Sequence, residues 1–186
     1  MGFIEMIVKY VAPSVGLGVA ERYMINNFAE YDAVGLLEPA TLVIPRAYGL
    51  VLVSNLVGSG ITLLALSMKV GAARKKYEVK LPHLYASGND ENSKQFNCVQ
   101  RGHQQALETY GTYLGCSLVA GIRHPFLTAA LGLLWCVSRL KWAEGYATGN
   151  PDNRYAHSKW GRHIWTAYLG VVALAISTTC GILGIF

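Results

Sequence analysis

The feature that most constrains the fold is an apolar run from Tyr48 to Val70, YGLVLVSNLVGSGITLLALSMKV, which holds a single charged residue near its end. About 20 apolar residues in a helix cross the hydrocarbon core of a bilayer. A second such run extends from Trp160 to Phe186. The composition agrees, because 15% of the residues are charged, against about 25% in an average soluble domain. The sequence therefore predicts an integral membrane protein.

Two further predicted spans are half polar. Residues 96–122 become apolar after Tyr110, whereas residues 126–148 become polar after Ser138. The segment Arg123-His124-Pro125 joins them, and proline restricts the residue before it, so we expect a tight turn and an antiparallel hairpin. The polar halves then lie at the same membrane face. The predicted fold is all-α, a bundle of four transmembrane helices at about residues 48–70, 96–122, 126–148 and 160–186.

The first 45 residues are predicted to form a separate N-terminal extension before a membrane domain of residues 46–186. Residues 1–20 are moderately apolar but carry Glu5, Lys9 and Pro13, so we interpret them as amphipathic or interfacial. They lack the small-residue cleavage pattern of a signal peptide.

Basic residues concentrate in two loops, at residues 71–95 and just before the last span. The positive-inside rule places both loops, with the polar half-helices, in the cytosol, or in the matrix of a mitochondrion. We expect the endoplasmic reticulum as the membrane, with a mitochondrial membrane as the alternative.

Other function classes find little support in the sequence. A net charge of +5 permits a nucleic-acid partner, but the basic residues form short clusters instead of a continuous stripe, so we expect no nucleic-acid binding. We also predict no metal site, because the histidines and cysteines lack ligand spacing. The cysteines lie within apolar stretches at Cys98, Cys116, Cys136 and Cys180.

A polar stripe follows one face of the second span. It occupies positions i, i+3, i+4 and i+7 and consists of Arg101, Gln104, Gln105 and Glu108. A charged residue at the centre of a spanning helix costs about 2.5–3.5 kcal/mol on insertion scales, so such residues usually face a bundle interior or a wet cavity. The stripe indicates either a site for a small anionic ligand, since guanidinium groups bind carboxylates bidentately, or an internal Arg–Glu structural pair.

The third span carries a second stripe of Arg139, Trp142 and Tyr146 at i, i+3 and i+7. Taken alone, its aromatic residues fit an interfacial belt. Beside the first stripe, and with Arg154 in the following loop, they fit the wall of an anion pocket. Arg74 in the basic loop adds a cation, or serves only to orient the first span. Such a positive pocket would also favour the thiolate form of a bound thiol.

The chain resembles the MAPEG family in three stretches whose order and spacing are kept: ARKKYEVKLPHLY, FNCVQRGHQQALETY and LGLLWCVSRLKWAEGYATGNPDNR. The similarity covers about residue 48 to the end of the chain and is greatest to the type-three microsomal glutathione S-transferase branch. It implies a four-helix membrane bundle assembled as a homotrimer, with glutathione bound between neighbouring subunits as co-substrate. It also implies contact with membrane lipids and an apolar, lipid-like second substrate.

The resemblance further implies roles for individual residues. In the family an arginine is followed four residues later by asparagine and seven later by glutamate, and here those positions hold Arg101, Gln105 and Glu108. Trp142 replaces the first of two tyrosines. Glutathione is then expected to bind Arg74, Arg101, Gln105, Glu108, Trp142 and Tyr146, while Arg154, helped by Arg101, stabilises its thiolate. In the leukotriene-forming branch the thiolate-stabilising arginine falls one residue earlier, at the position of Asn153.

We expect a membrane glutathione transferase or peroxidase that conjugates glutathione to apolar electrophiles or reduces lipid hydroperoxides. Two alternatives stay open. Gln105, Trp142 and Asn153 depart from the family pattern, which also fits a catalytically silent structural subunit of a larger membrane complex. A lipid-binding accessory protein is the other alternative, since the family includes a non-enzymatic member of that kind.

Overall fold

The computed structural model describes residues 19–20, 23 and 43–185 of the chain. The chain divides into two units, Met1–Thr41 and Leu42–Phe186, and the features below belong to the second. The predicted N-terminal extension, residues 1–45, lies almost entirely outside the described residues.

The described part of the second unit is built from long helices joined by loops. A π-helical segment, Leu52–Gly58, interrupts the first helix, and a 3₁₀ turn, Gly161–His163, leads into the last one. In chain order the helices are α1 (Tyr48–Lys76), α2 (Glu91–Arg123), α3 (Pro125–Tyr146), the short α4 (Asn153–Ala156) and α5 (Ile164–Ile182). The predicted all-α fold is confirmed.

Local sequence determines where α2 begins and ends. The Asp90 carboxylate caps the helix, accepting hydrogen bonds from the Ser93 backbone N–H at 3.0 Å and the Ser93 hydroxyl at 2.6 Å. These bonds hold the pKa of Asp90 below its usual range. Because of this cap α2 begins at Glu91, before the predicted span of residues 96–122. At its other end His124 alone separates α2 from Pro125, whose missing N–H is not needed at the start of a helix.

Contacts between the helices give their directions. Cys136 of α3 donates to the Ser54 carbonyl of α1 at 3.8 Å, and further along both helices Lys69 lies 3.1 Å from Glu144, so α1 and α3 run parallel. The α2–α3 pair is antiparallel, since its two helices meet at His124. Gly161, in the 3₁₀ turn before α5, packs beside Trp142 of α3, and near the other end of α5 Thr178 donates to the Ala120 carbonyl of α2.

Among the described residues, three helices are long and apolar enough to cross a membrane: Tyr48–Lys76, Pro125–Tyr146 and Gly161–Ile182. The helix α2 has 33 residues, about 50 Å at 1.5 Å per residue, but its first half is polar. Because α1 and α3 are parallel, the chain must return across the membrane between them, and α2 is the segment that does so. An irregular loop in that place would leave backbone groups unpaired in lipid. Within residues 43–185 the bundle therefore has four crossing helices, with the 77–90 and 147–163 loops at one end.

The side chains of the bundle are distributed as lipid requires. Ile61, Leu64 and Met68 lie on one face of α1 and are each at least 60% exposed. Polar side chains are instead buried, among them Asn55 and Ser117, which are fully inaccessible. In water the opposite arrangement is the rule. This distribution, with the three apolar helices, supports the prediction of a membrane protein.

A buried asparagine ties three helices together at the π-helical segment. The Asn55 amide donates to the Ser117 hydroxyl of α2 at 3.0 Å and accepts from the Ser54 hydroxyl at 2.6 Å. Gly132 of α3 lies directly against this amide, and an added methyl group there would overlap it. The absence of a side chain at Gly132 thus makes room for the polar contact.

We expect Gly132→Ala to lower the melting temperature of the detergent-purified protein. Overpacking of this kind costs about 1–3 kcal/mol. The matched control is Gly60→Ala, because the space around Gly60 is open and alanine favours a helix by up to about 1 kcal/mol. Equal melting temperatures for the two variants would show that the Asn55–Gly132 contact contributes nothing to stability.

Candidate functional site

The polar halves of α2 and α3 lie side by side at the end of the bundle that carries the two basic loops. The contact is direct, since the Arg139 guanidinium of α3 donates to the Gln105 side-chain oxygen of α2. Deeper in the bundle the two helices pack in an apolar core, in which the rings of Tyr113 and Trp135 are stacked with their centroids 4.3 Å apart. The two predicted stripes therefore belong to one region of the structure.

Arg101 and Glu108 form an ion pair on the outer surface of α2. Arg101 Nη1 lies 2.5 Å from Glu108 Oε1, and the two side chains are 37% and 46% exposed. The pairing agrees with the structural-pair alternative, but the exposure does not, because the pair is not internal to the chain. An ion pair this exposed adds little to the stability of a fold. Both charges are accessible to a ligand or to another subunit.

Arg139 lies buried beneath this surface. Its side chain is 1% exposed and lies between the rings of Trp135 and Trp142, at 5.3 and 5.7 Å. Besides Gln105 it donates to the Thr109 hydroxyl at 3.3 Å. The sequence placed Arg139 on the second stripe but not among the ligand-binding residues. The sequence feature that could have identified Arg139 is its position inside the apolar run LGLLWCVSRL, since charges within spanning helices are usually functional.

Trp142 and Tyr146 line the α3 side of the region. Their ring centroids lie 5.1 Å apart, and Trp142 also meets the edge of Tyr155 at 6.4 Å. Trp142 is 5% exposed, so it is not a residue of a lipid-facing belt. Tyr146 is half-buried and is the last residue of α3.

Arg154 is held against α3 by a close backbone approach. Its Cα would lie 2.9 Å from a methyl group added at Gly145, so a larger residue there would displace the loop. The guanidinium donates to the Pro151 carbonyl at 2.6 Å and lies 3.6 Å from the Asp152 carboxylate. It also lies over the Tyr155 ring at 4.9 Å. Arg154 is thus adjacent to the aromatic side of the region, with its charge partly engaged by its own loop.

The groups around Tyr155 lower its pKa. Partial burial raises the pKa of Tyr155, but a hydrogen bond from the Trp165 indole at 3.0 Å and the adjacent Arg154 guanidinium lower it further than burial raises it. The net result is a pKa below the usual value for tyrosine.

Arg74 is engaged by the first basic loop. It donates to the His83 carbonyl at 2.8 Å and lies over the Phe96 ring at 5.2 Å. Those contacts involve none of the other predicted site residues. In the same loop Ala86 pairs with the Asn97 amide, and the Tyr85 hydroxyl donates to the Gln104 oxygen. The loop therefore folds onto the start of α2 and brings to the first stripe a tyrosine that sequence reasoning did not assign.

The region is rich in hydrogen-bond donors and positive charge, with accessible carboxylates at Glu108 and Asp152 and an aromatic wall. Such a set suits a small ligand that carries carboxylates together with an amine. Among the described residues, no group of three or more His, Cys, Asp or Glu side chains is placed to hold a metal ion.

Comparison with protein families identifies the chain. The model of the MAPEG family matches residues 52–179, which is more than two thirds of the chain. The match includes both polar stripes and the two basic loops, from the π-helical segment of α1 to near the end of α5. The chain belongs to the MAPEG family, whose membrane proteins act in glutathione and eicosanoid metabolism.

Proposed function

We propose that the protein is a membrane glutathione transferase, with glutathione peroxidase activity, of the type-three microsomal branch. The observation that carries the proposal is the Arg101–Gln105–Glu108 face of α2, which is accessible and meets the second stripe through the hydrogen bond from Arg139 to Gln105. The family as a whole generally uses glutathione, which supports this choice of ligand.

The Arg101–Glu108 ion pair suits a zwitterionic ligand. Glutathione carries two carboxylates and one ammonium group, so it supplies a new partner for each member of the pair. Arg101 would bind a carboxylate through two parallel hydrogen bonds, and Glu108 would accept from the ammonium group. Gln105 and Tyr146 would bind the peptide between them, with Trp142 as the wall and Arg74 as a cation that attracts the second carboxylate.

Arg154 would stabilise the thiolate, with Arg101 adding to the positive field. Each unit by which the thiol pKa falls corresponds to about 1.4 kcal/mol of preferential stabilisation of the anion. In conjugation the sulfur forms a bond to the electrophilic carbon. In a substitution the bond to the leaving group breaks; in an addition the carbon–carbon double bond opens and the neighbouring carbon, which receives its electron pair, takes a proton. In peroxide reduction the sulfur attacks the distal oxygen, the O–O bond breaks, and an alcohol and a glutathione sulfenic acid form. A second glutathione then yields the disulfide and water.

The exposed charges support assembly as a homotrimer. Arg101 and Glu108 are accessible on the side of a helix that crosses a membrane, where lipid contact is unfavourable. A neighbouring subunit that covers this face would shield the charges from lipid and complete a binding site. The apolar second substrate would then enter from the bilayer. Because both basic loops lie at that end, we propose that the site faces the cytosol. The membrane that we propose is the endoplasmic reticulum.

The proposal predicts that the detergent-purified protein binds glutathione and ionises its thiol near neutral pH. Calorimetry measures the binding, and an ultraviolet absorbance scan of the same sample detects the thiolate. Binding accompanied by thiolate absorbance would support a transferase. No binding at millimolar glutathione, in a sample with a cooperative melting transition, would contradict the proposal.

A catalytically silent structural subunit is the second candidate. The observation in its favour is the Arg154 guanidinium, which is already bonded to the Pro151 carbonyl and lies near the Asp152 carboxylate. In that case glutathione binds without a thiolate signal, or does not bind at all. Native mass of the purified protein provides a second criterion, because a stable heteromer favours the subunit and a trimer favours the enzyme.

A further inference from the structure

The Arg139 guanidinium is a buried cation whose partners are neutral. None of the ion pairs among residues 43–185 includes Arg139. Its two described hydrogen bonds go to the Gln105 side-chain oxygen and the Thr109 hydroxyl. Buried charges are normally paired with an opposite charge, so this arrangement needs an explanation other than charge neutralisation.

The chemistry of the two groups fixes the orientation of the Gln105 amide. A guanidinium carries donors and no acceptor, and a glutamine amide has an oxygen that accepts and a nitrogen that donates. Gln105 must therefore turn its oxygen towards Arg139. Its amide nitrogen is left over, and it donates no hydrogen bond to the described residues. If the Gln105 amide were rotated, its NH₂ group would face the Arg139 guanidinium, and both groups only donate hydrogen bonds.

The amide nitrogen of Gln105 lies on the face of α2 where the ligand is proposed to bind. Gln105 is four residues after Arg101 and three before Glu108, so it shares the face on which these two accessible side chains lie. The Gln105 side chain is itself partly accessible, whereas Arg139 lies behind it between two tryptophan rings. Arg139 therefore has no direct access to a ligand on that face.

We propose that Arg139 is a positioning residue that locks Gln105 as a hydrogen-bond donor, so that this point of the site selects an acceptor oxygen of the ligand. The inference rests on the proposed function, in which the ligand is glutathione and the acceptor is one of its carboxylate or carbonyl oxygens. Arg139 acts through Gln105 and makes no contact with the ligand.

A double-mutant cycle on glutathione affinity tests this. We expect Arg139→Met and Gln105→Met each to raise the Kd about tenfold, and the double variant to bind no more weakly than Gln105→Met alone. A merely structural role of Arg139 would weaken binding by the same factor in both backgrounds, and that additivity would overturn the inference. Lys141→Met is the control, since it also removes one positive charge from α3 and is expected to leave the Kd unchanged.

A second variant covers the case in which Arg139→Met does not fold. Gln105→Glu keeps an acceptor for Arg139 and adds an opposite charge, so we expect the melting temperature to be at least that of the wild type. It also removes the donor, so we expect the Kd for glutathione to rise at least about tenfold. Binding of Gln105→Glu at wild-type affinity would overturn the inference. Absence of binding by the wild-type protein would instead contradict the proposed function, so the two failures are distinguishable.

Discussion

Replacement of Arg101 by alanine is expected to weaken glutathione binding at least about thirtyfold. In the proposed complex Arg101 pairs with a carboxylate of glutathione, and removal of one member of such a desolvated charge pair costs about 2–5 kcal/mol. The variant loses the bidentate partner of a carboxylate. Melting temperature should change little, since the pair that Arg101 forms with Glu108 is exposed in the chain. Calorimetric titration with glutathione measures the first effect, and thermal unfolding of the same sample measures the second.

Lys69→Ala is the matched control for this experiment. Lys69 is also a partly exposed cation in an ion pair, with Glu144, but it lies on α1 and belongs to neither stripe. We expect this variant to bind glutathione like the wild type. An Arg101→Ala protein whose affinity equals that of the control would remove Arg101 from the site, and with it the reason for placing glutathione on this face.

Arg154→Ala is expected to lower kcat by about 10²–10³-fold, the effect of removing one preorganised group that stabilises a developing or bound anion. Binding should weaken much less, because the groups proposed to hold the peptide remain. Without the cation the pKa of the bound thiol rises, so the thiolate absorbance at neutral pH should disappear. For the same reason the remaining activity should increase as the pH is raised. Steady-state kinetics over a range of pH, with the absorbance scan, measure all three effects.

Lys159→Ala is the control for Arg154, since it removes a positive charge from an exposed position of the same loop. Arg154→Lys separates charge from geometry, because lysine keeps the charge but not the planar guanidinium. An unchanged kcat and an unchanged pH profile for Arg154→Ala would show that Arg154 does not stabilise the thiolate. Substitution of Arg101, whose field reaches the same region, would then be the next test.

Much of the fold was predictable because it depends on local properties of the chain. Apolar runs identified α1 and α5, and Pro125 identified the hairpin between α2 and α3. Hydropathy predicted a membrane span at residues 96–122, but the helix that contains this span begins earlier, at the Asp90 cap. A cap depends on a single side chain, and averages over a window of residues do not detect it.

The site was predictable only in part, because some of its features depend on spacing along one helix and others on contacts between helices. Spacing along one helix determines which side chains share a face, so the Arg101–Glu108 stripe could be read directly from the sequence. Spacing does not determine how a helix is rotated against its neighbours. The burial of Arg139 behind Gln105, the approach of Tyr85 to Gln104 and the engagement of Arg154 by its own loop all depend on such contacts.

The sequence by itself therefore determined that this protein is an all-α membrane protein with two polar stripes at one end, because helix length, hydropathy and periodicity are local. The tertiary structure alone decided which charges are accessible and which are buried. It also decided that Asn55 fits against Gly132 and that Arg139 donates to an amide and a hydroxyl. These outcomes depend on side chains far apart in the chain, which meet only when the helices pack.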